Sequence, residues 1–371
     1  MLVALALALA SGAPFAACDR PLPRGPAVPA PIVLQSVCGG FLLLRDGRVE
    51  RLSPRWLRDH AGNAPRPHAA GRQVGVDGRG AVVVRRAGVR VWRATGTHHG
   101  ISPVFGPRGA FAFGADGEGV FLTDLRSPER LVVPGREVWP LAFGDDGNLV
   151  VRGAGALLVL RRDGTELRRI PYRVPLGALT DPVSGRVHVV APDGTLTVVD
   201  GAHVTRLARL AGVGGWLTSA AHGRFAFQEA GRVRVWDAGG RVVAQAGWPR
   251  SLTADSGLAV APDGRSVAFR LSDAAPGAAF GTARVRLLDE ASGRARELYR
   301  HRLGPSGCAV GGNLAWHGRA LLYDAYDGHL AVLDARGGRA FRLTRLARAL
   351  LPDGTYGDVS AAWLADYRRR A

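Results

Sequence analysis

The chain has 371 residues, enough for one large domain, with 49 basic side chains against 31 acidic ones and a formal charge of +18. All the basic side chains are arginine, which excludes lysine Schiff-base chemistry and a phosphate-binding P-loop. The arginines are spread over strands and turns, in a chain rich in Ala, Gly, Pro and Val and poor in Ile and Asn. That reads as composition bias on solvated faces, so no nucleic-acid partner is expected; a contiguous arginine face would reverse this.

In chain order, Leu2–Ala10 comes first, an apolar run far short of the roughly 20 residues that span a bilayer. It reads as the core of an export signal over residues 1–17, although no Arg or Lys precedes it. Residues 18–31 follow as a tether, with five prolines between Asp19 and Pro31 that favour a stiff, extended form. Phe15-Ala16-Ala17-Cys18 resembles a bacterial lipoprotein processing site, with Phe where Leu is usual. The resemblance implies a lipid on Cys18, and plain cleavage nearby is the alternative. The product is exported to the periplasm, the cell surface or the medium, and touches a membrane only through that anchor.

From residue 32 to 371 one unit recurs. Gly-containing turns fall at Cys38-Gly39-Gly40, Asp77-Gly78, Arg108-Gly109, Asp146-Gly147, Ser184-Gly185, His222-Gly223, Asp263-Gly264 and His317-Gly318. A small-apolar strand precedes each turn, as in Leu258-Ala259-Val260, and an alternating strand follows, as in Phe225-Ala226-Phe227. A third strand often ends in an acid: Asp124, Asp200, Asp237, Asp289 and Asp334. These acids are spaced 76 (124 to 200), 37 (200 to 237), 52 (237 to 289) and 45 (289 to 334) residues apart. Arg162 halves the longest gap, so the period is about 40 residues. A more polar fourth strand fits after most units, as at residues 165–170. Four strands per period predict an all-β fold, a single β-propeller of four-stranded antiparallel blades. Long runs at helical period are scarce, and the best helical candidate, Leu346–Leu351, is short.

Ala261-Pro262-Asp263-Gly264-Arg265-Ser266-Val267-Ala268-Phe269 resembles the repeat of TolB-type and related WD40-like (PD40) propellers. Val233-Arg234-Val235-Trp236-Asp237 resembles the end of a WD40 blade. The resemblance covers residues 32–367, closely only in the seventh unit. It implies a scaffold that presents loops, in families that are mostly binding platforms. The eight turn units give seven or eight blades. Seven is preferred, because the second unit (residues 73–97) is short and reads as lacking its fourth strand. Val359–Leu364 is expected to return as an inner strand and share a blade with Phe41–Leu44 and Arg48–Leu52, which closes the ring.

Cys38 and Cys308 lie in the first and eighth units, neighbours in such a ring, where a disulfide would clip the closure by about 4–5 kcal/mol in a chain-entropy model. Two unpaired thiols, or a Cys18–Cys38 pair, remain open.

No zinc, EF-hand or nucleophile-elbow spacing occurs. His98 and His99 are adjacent and would point to opposite faces of a strand; His222 and His317 occupy turn positions. Glu137, Asp255 and Asp358 each precede an inner strand, and Asp181 follows the start of another, so these carboxylates would sit at a channel mouth. Trp139, Trp216, Trp316 and Trp363 lie in or beside inner strands. The acids read as solvated loop residues or as a ligand site, the tryptophans as core filling or stacking platforms.

The expected function is a cell-envelope binding platform for a protein, peptide or glycan, monomeric and without a cofactor or metal. The alternative is an enzyme centred on the channel, either a metal-dependent lactonase-like hydrolase, with calcium held by the mouth carboxylates, or a quinoprotein-like dehydrogenase.

Overall fold

The computed structural model describes residues 21–36, 38–53, 72–77, 79–86, 89–99, 102–172, 175–181, 184–214, 216–229, 231–273, 281–303, 312–325, 329–336, 340–350 and 360–364. Sheets follow one another along the chain. The first contains β1 (Ile32–Ser36), β2 (Gly39–Leu43) and β3 (Val49–Arg51), the second β4 (Arg72–Val76), β5 (Val82–Arg86) and β6 (Val89–Arg93). The third contains β7 (Ser102–Phe105), β8 (Phe111–Ala115), β9 (Gly119–Thr123) and β10 (Arg130–Pro134). The fourth contains β11 (Trp139–Phe143), β12 (Leu149–Gly153), β13 (Ala156–Leu160) and β14 (Glu166–Pro171). The fifth contains β15 (Gly177–Thr180), β16 (Val187–Val190), β17 (Thr195–Asp200) and β18 (His203–Arg209). The sixth contains β19 (Trp216–Ala221), β20 (Arg224–Glu229), β21 (Arg232–Asp237) and β22 (Val242–Gly247). The seventh contains β23 (Thr253–Val260), β24 (Ser266–Ser272), β25 (Thr282–Asp289) and β26 (Ala295–Arg302). The eighth contains β27 (Gly312–His317), β28 (Ala320–Ala325), β29 (Leu330–Asp334) and β30 (Ala340–Arg342). A six-residue helix, α1 (Thr344–Ala349), precedes β31 (Ser360–Trp363).

The chain is a β-propeller, and its ring closes as the sequence leads one to expect. β31 pairs antiparallel with β1, Ile32 opposite Trp363 and Leu34 opposite Ala361, so the first sheet runs β3-β2-β1-β31. Its innermost strand comes from the far end of the chain. The expected fourth strand at 165–170 is β14, and the expected helical stretch is α1.

The recurrent Asp-Gly has a local cause. The glycine takes the left-handed conformation, as at Gly147 (φ 86°) and Gly264 (φ 74°). The aspartate before it accepts the backbone N–H two residues on: Asp146 from Asn148 at 2.9 Å, Asp193 from Thr195 at 3.0 Å, Asp263 from Arg265 at 3.0 Å. The acids that end third strands cap the following turn in the same manner. Asp237 accepts from the Arg241 N–H at 3.0 Å and Asp289 from the Ser292 N–H at 2.8 Å.

Middle strands are buried on both faces, as in β8, β9 and β13, because a sheet lies against each side; fourth strands such as β14 and β18 are largely exposed. Apolar clusters join each sheet to the next. Phe111 and Phe113 meet Val82, Val84 and Trp92; Val187, Val189 and Val199 meet Ala142, Val150 and Val159. Phe225, Phe227 and Trp236 meet Val190 and Leu196. At the closure, Ile32, Leu34, Phe41 and Trp363 pack on Leu322 and Val332 of the eighth sheet.

Among the described residues seven sheets have four strands and the second has three. The sequence reads this unit as lacking its fourth strand; the structure has that strand, and the described residues begin with the second one. In the third to seventh sheets the third-to-fourth pairing carries a bulge, with the extra residue always on the fourth strand: Val132, Leu167, Leu207, Val243 and Leu298. Second-to-third pairings are regular throughout the other seven sheets. In the second sheet β4–β5 is regular, and β5–β6 carries the bulge, with Val91 extra on β6. The seams agree. Arg130 of β10 donates to the Asp163 carbonyl, and Arg296 of β26 to the Ala335 carbonyl, each from a fourth strand to the outer turn of the following sheet. Trp92 of β6 does the same, its Nε1 donating to the Ser127 carbonyl at 3.0 Å. β4, β5 and β6 are therefore second, third and fourth strands.

Candidate functional site

Innermost strands β7, β11, β15, β19, β23, β27 and β31 pack one against the next around the channel. Short polar bonds staple it. Thr180 Oγ1 of β15 donates to the Phe143 carbonyl of β11 at 2.7 Å. Ser219 Oγ of β19 accepts from the Val260 N–H of β23 at 2.9 Å. Trp316 Nε1 of β27 donates to the Ala259 carbonyl at 3.1 Å, and Trp363 Nε1 of β31 to the Ala315 carbonyl at 2.9 Å. Each of these groups satisfies buried backbone across a blade seam, which a core requires of its polar atoms.

Of the residues assigned to the channel mouth, Glu137 is exposed immediately before β11, where an inner strand begins. Trp139 in β11 is half-buried, with its ring against the neighbouring sheet at Gly114; a Cβ at Gly114 would lie 2.5 Å from Trp139 Cε3. That close approach explains the glycine. Trp216 and Asp255 lie on β19 and β23 with their side chains outside the described residues, and Asp358 and Cys18 lie outside them altogether. Asp181 is at the other end of its inner strand, in the β15–β16 turn, buried and accepting from Ser184 Oγ at 3.0 Å. It does not share an end of the ring with Glu137. Among the described residues no three His, Cys, Asp or Glu side chains gather to hold a metal ion. A groove of about 520 Å³ lies away from the channel, at the outer seam of the third and fourth sheets, where Asp124 and Asp163 face Arg130 and Arg162.

Cys38 is disulfide-bonded, and Cys308, one of its two candidate partners, also lies outside the described residues.

Two polar clusters were not legible in the sequence. Between the seventh and eighth sheets Arg270 is 1% exposed, and its Nε donates to Tyr323 Oη at 2.8 Å. His301 Nδ1 lies 2.9 Å from the Arg302 carbonyl, which can only accept, so Nδ1 carries the proton. Nε2 is then free to accept from Tyr323 Oη at 2.9 Å, and the ring stacks on His329 at 3.9 Å. A relay of this kind is costly to break because each member satisfies another.

At the seam of the second and third sheets, Glu129 accepts from the Thr95 and Gly96 N–H groups at 2.8 and 2.9 Å and from Thr95 Oγ1 at 2.8 Å. Burial works to raise its carboxyl, and the Gly96 and Thr95 donors outweigh it, holding the group below the usual carboxylate range. His98, buried against Phe113 and Phe121, sets Nδ1 3.0 Å from Glu118 Oε2, while His99 is exposed. The paired histidines part as expected, though on a connecting segment and not in a strand.

No family model matches the chain, and no curated protein matches it. Among solved structures, apo AztD from Citrobacter koseri has a TM-score of 0.53 at 12% identity, covering 90% of this chain and 98% of that one. A second structure of AztD from the same organism gives 0.51 at 12% identity, over 90% and 97%. A computationally designed protein, Ika8, gives 0.48 at 19% identity over 73% and 83%, too low to carry weight. AztD is a β-propeller, so the likeness supports the fold and nothing narrower.

Proposed function

We propose that the protein is an exported β-propeller of the cell envelope, secreted or lipid-anchored, that acts as a binding platform for a protein, peptide or glycan. The observation that carries export is the disulfide at Cys38, since such bonds persist in oxidising compartments and are rare in the cytosol. The apolar run at Leu2–Ala10 supports the same location. A stapled ring with loops at both ends is the architecture of a platform, because a rigid scaffold lets loops carry recognition. Eight consecutive sheets support eight blades in preference to seven.

Topology favours Cys308 as the partner of Cys38. Cys38 sits in the β1–β2 turn, at the end of the ring where inner strands begin, and Cys308 lies in the chain between β26 and β27, which leads to the start of an inner strand. Gly25 and Val28, the described residues nearest Cys18 in sequence that bond to a blade, hold to Gly47 and Arg45 at the β2–β3 turn, on the opposite end. Cys18 is then left for the lipid.

The test is expression of the full-length chain with its leader in an exporting bacterial host, thiol blocking at lysis, and peptide mass mapping. A linked Cys38–Cys308 peptide and a mature chain that begins at or near Cys18 are expected. A reduced Cys38 on a chain retaining residues 1–17 would overturn export. A photo-crosslinking residue at exposed Glu137 reads out the platform directly. Discrete envelope adducts are expected there, and none would count against a mouth-facing partner.

A further inference from the structure

The chain joins the propeller on the face opposite the mouth. Gly25 and Val28 donate their N–H groups to the Gly47 and Arg45 carbonyls of the β2–β3 turn at 2.8 and 3.0 Å. A Cβ on Gly25 would lie 2.8 Å from Leu43 Cδ1 and 2.9 Å from Leu346 Cδ2, so this segment is seated between the end of β2 and α1. α1 lays Leu346 and Ala347 on the apolar cluster of the closure. Arg345 and Arg348, three apart on its other side, are exposed. Arg342 at the end of β30, Arg24 beside Gly25 and Arg45 in the β2–β3 turn are exposed around the same point.

Elsewhere on the sheet ends, arginines meet acids. Arg186 pairs with Asp200 at 2.9 Å, Arg224 with Glu290 at 2.7 Å and Arg241 with Asp237 at 3.2 Å. Here Arg48 is matched by Asp46 at 2.7 Å, but Arg24, Arg45, Arg342, Arg345 and Arg348 have no acidic partner among the described residues. Like charges set side by side repel and add nothing to the stability of the fold. Their counter-charge lies outside the molecule. Position says where. Cys18 stands six residues before Arg24. An extended chain advances at most about 3.6 Å per residue, so in any conformation a lipid-bearing Cys18 lies within roughly 20 Å of the patch. Such a tether fixes distance and leaves orientation open.

We propose that Arg24, Arg45, Arg342, Arg345 and Arg348 form a docking surface for the anionic headgroups of a lipid bilayer. The face on which the chain enters lies on the membrane, and the mouth, with Glu137 and the β1–β2 turn, looks away from it toward a partner. Each arginine held within a Debye length of the headgroups, about 10 Å, strengthens the contact by about fivefold. The sequence makes the lipid anchor the sole contact with a membrane; the patch adds a second and sets its direction. This rests on the lipid-anchored form of the platform reading and gives the platform an orientation.

The test uses the full mature chain as Cys18→Ser, which carries no lipid, so the patch is read apart from the anchor. Co-sedimentation with vesicles of equal parts phosphatidylglycerol and phosphatidylcholine is expected at low salt, fading as salt rises, with none on pure phosphatidylcholine. Arg345→Glu with Arg348→Glu should weaken it by about tenfold or more. Arg24→Glu with Arg45→Glu leaves α1 untouched and should do the same. Arg168→Glu with Arg206→Glu makes the same charge change on exposed β14 and β18, across the ring, and should cost less than about twofold. An environment-sensitive fluorescent residue in place of Asp46 should respond to the vesicles, and one in place of Glu137 should not. Equal losses in all three variants would reduce the effect to net charge. That result, or no binding to phosphatidylglycerol, overturns the docking surface, while the mass of Cys18 in the exported chain decides the anchor separately. Tighter binding to duplex DNA at the same salt, lost in the same two variants, would assign the patch to a nucleic acid and overturn the membrane.

Discussion

The first and second sheets stand side by side in chain order and are held in different ways. The first sheet receives β31, which pairs across the whole domain with β1. In the second the described residues begin at β4, its second strand, and its bulge and outer seam match those of the other sheets. In the first sheet the inner position is filled from the far end of the chain and not by the blade's own segment. At Trp363 the fill is covalent and aromatic, and it closes the fold.

That contrast can be broken from both sides. The largest effect is expected at the closure. Trp363→Ala removes a fully buried indole and its bond to Ala315, and should cost about 3–5 kcal/mol in urea unfolding. Trp92→Phe in the second sheet keeps most of the ring and loses only the Ser127 bond, so about 1 kcal/mol is expected. Equal losses would mean that closure is not the stronger lock. Tyr323→Phe, at the seam of the seventh and eighth sheets, leaves Arg270 Nε and His301 Nε2 without the hydroxyl, at about 1–3 kcal/mol, with exchange of the β28 amides rising in parallel. Glu129→Ala, at the seam of the second and third, frees the Thr95 and Gly96 amides, which should lose exchange protection while the closure stays intact.

The smallest effect is a pH dependence. Burial pushes the His188 ring below its ordinary value, with Asp181 partly offsetting this, and its Nδ1 is buried without a partner. The unfolded chain takes up a proton near pH 6.5, where the folded chain resists it, so stability falls as the pH drops below that point. His188→Gln should flatten this slope between neutral pH and about pH 5. An unchanged slope would move the acid sensitivity to another group.

Much of the fold was legible from residues 32 onward because the turn chemistry is local. Asp146-Gly147 and Asp263-Gly264 need only their own backbone to fix a hairpin, and the same pair repeated at about 40 residues marks the blades. The closing strand was legible because Val359–Leu364 is strand-like and has no local partner. Which strands of the second blade β4, β5 and β6 form was not legible. The identity of a strand as second or third depends on a bulge at Val91 and on a bond from Trp92 to Ser127, and neither leaves a mark in a run of alternating residues. The site residues show the same division. Glu137 lies exposed just before an inner strand, as read, but Asp181, read as following the start of one, lies in the turn at its far end.

The sequence alone determined the repeat and its hairpins, because those rest on φ values, side-chain caps and hydropathy over a few residues. Only the tertiary structure decided where tryptophans are spent, which buried arginine meets which tyrosine, and which strand closes the ring. Those depend on how sheets stack and twist around an axis, bringing together atoms that lie tens to hundreds of residues apart.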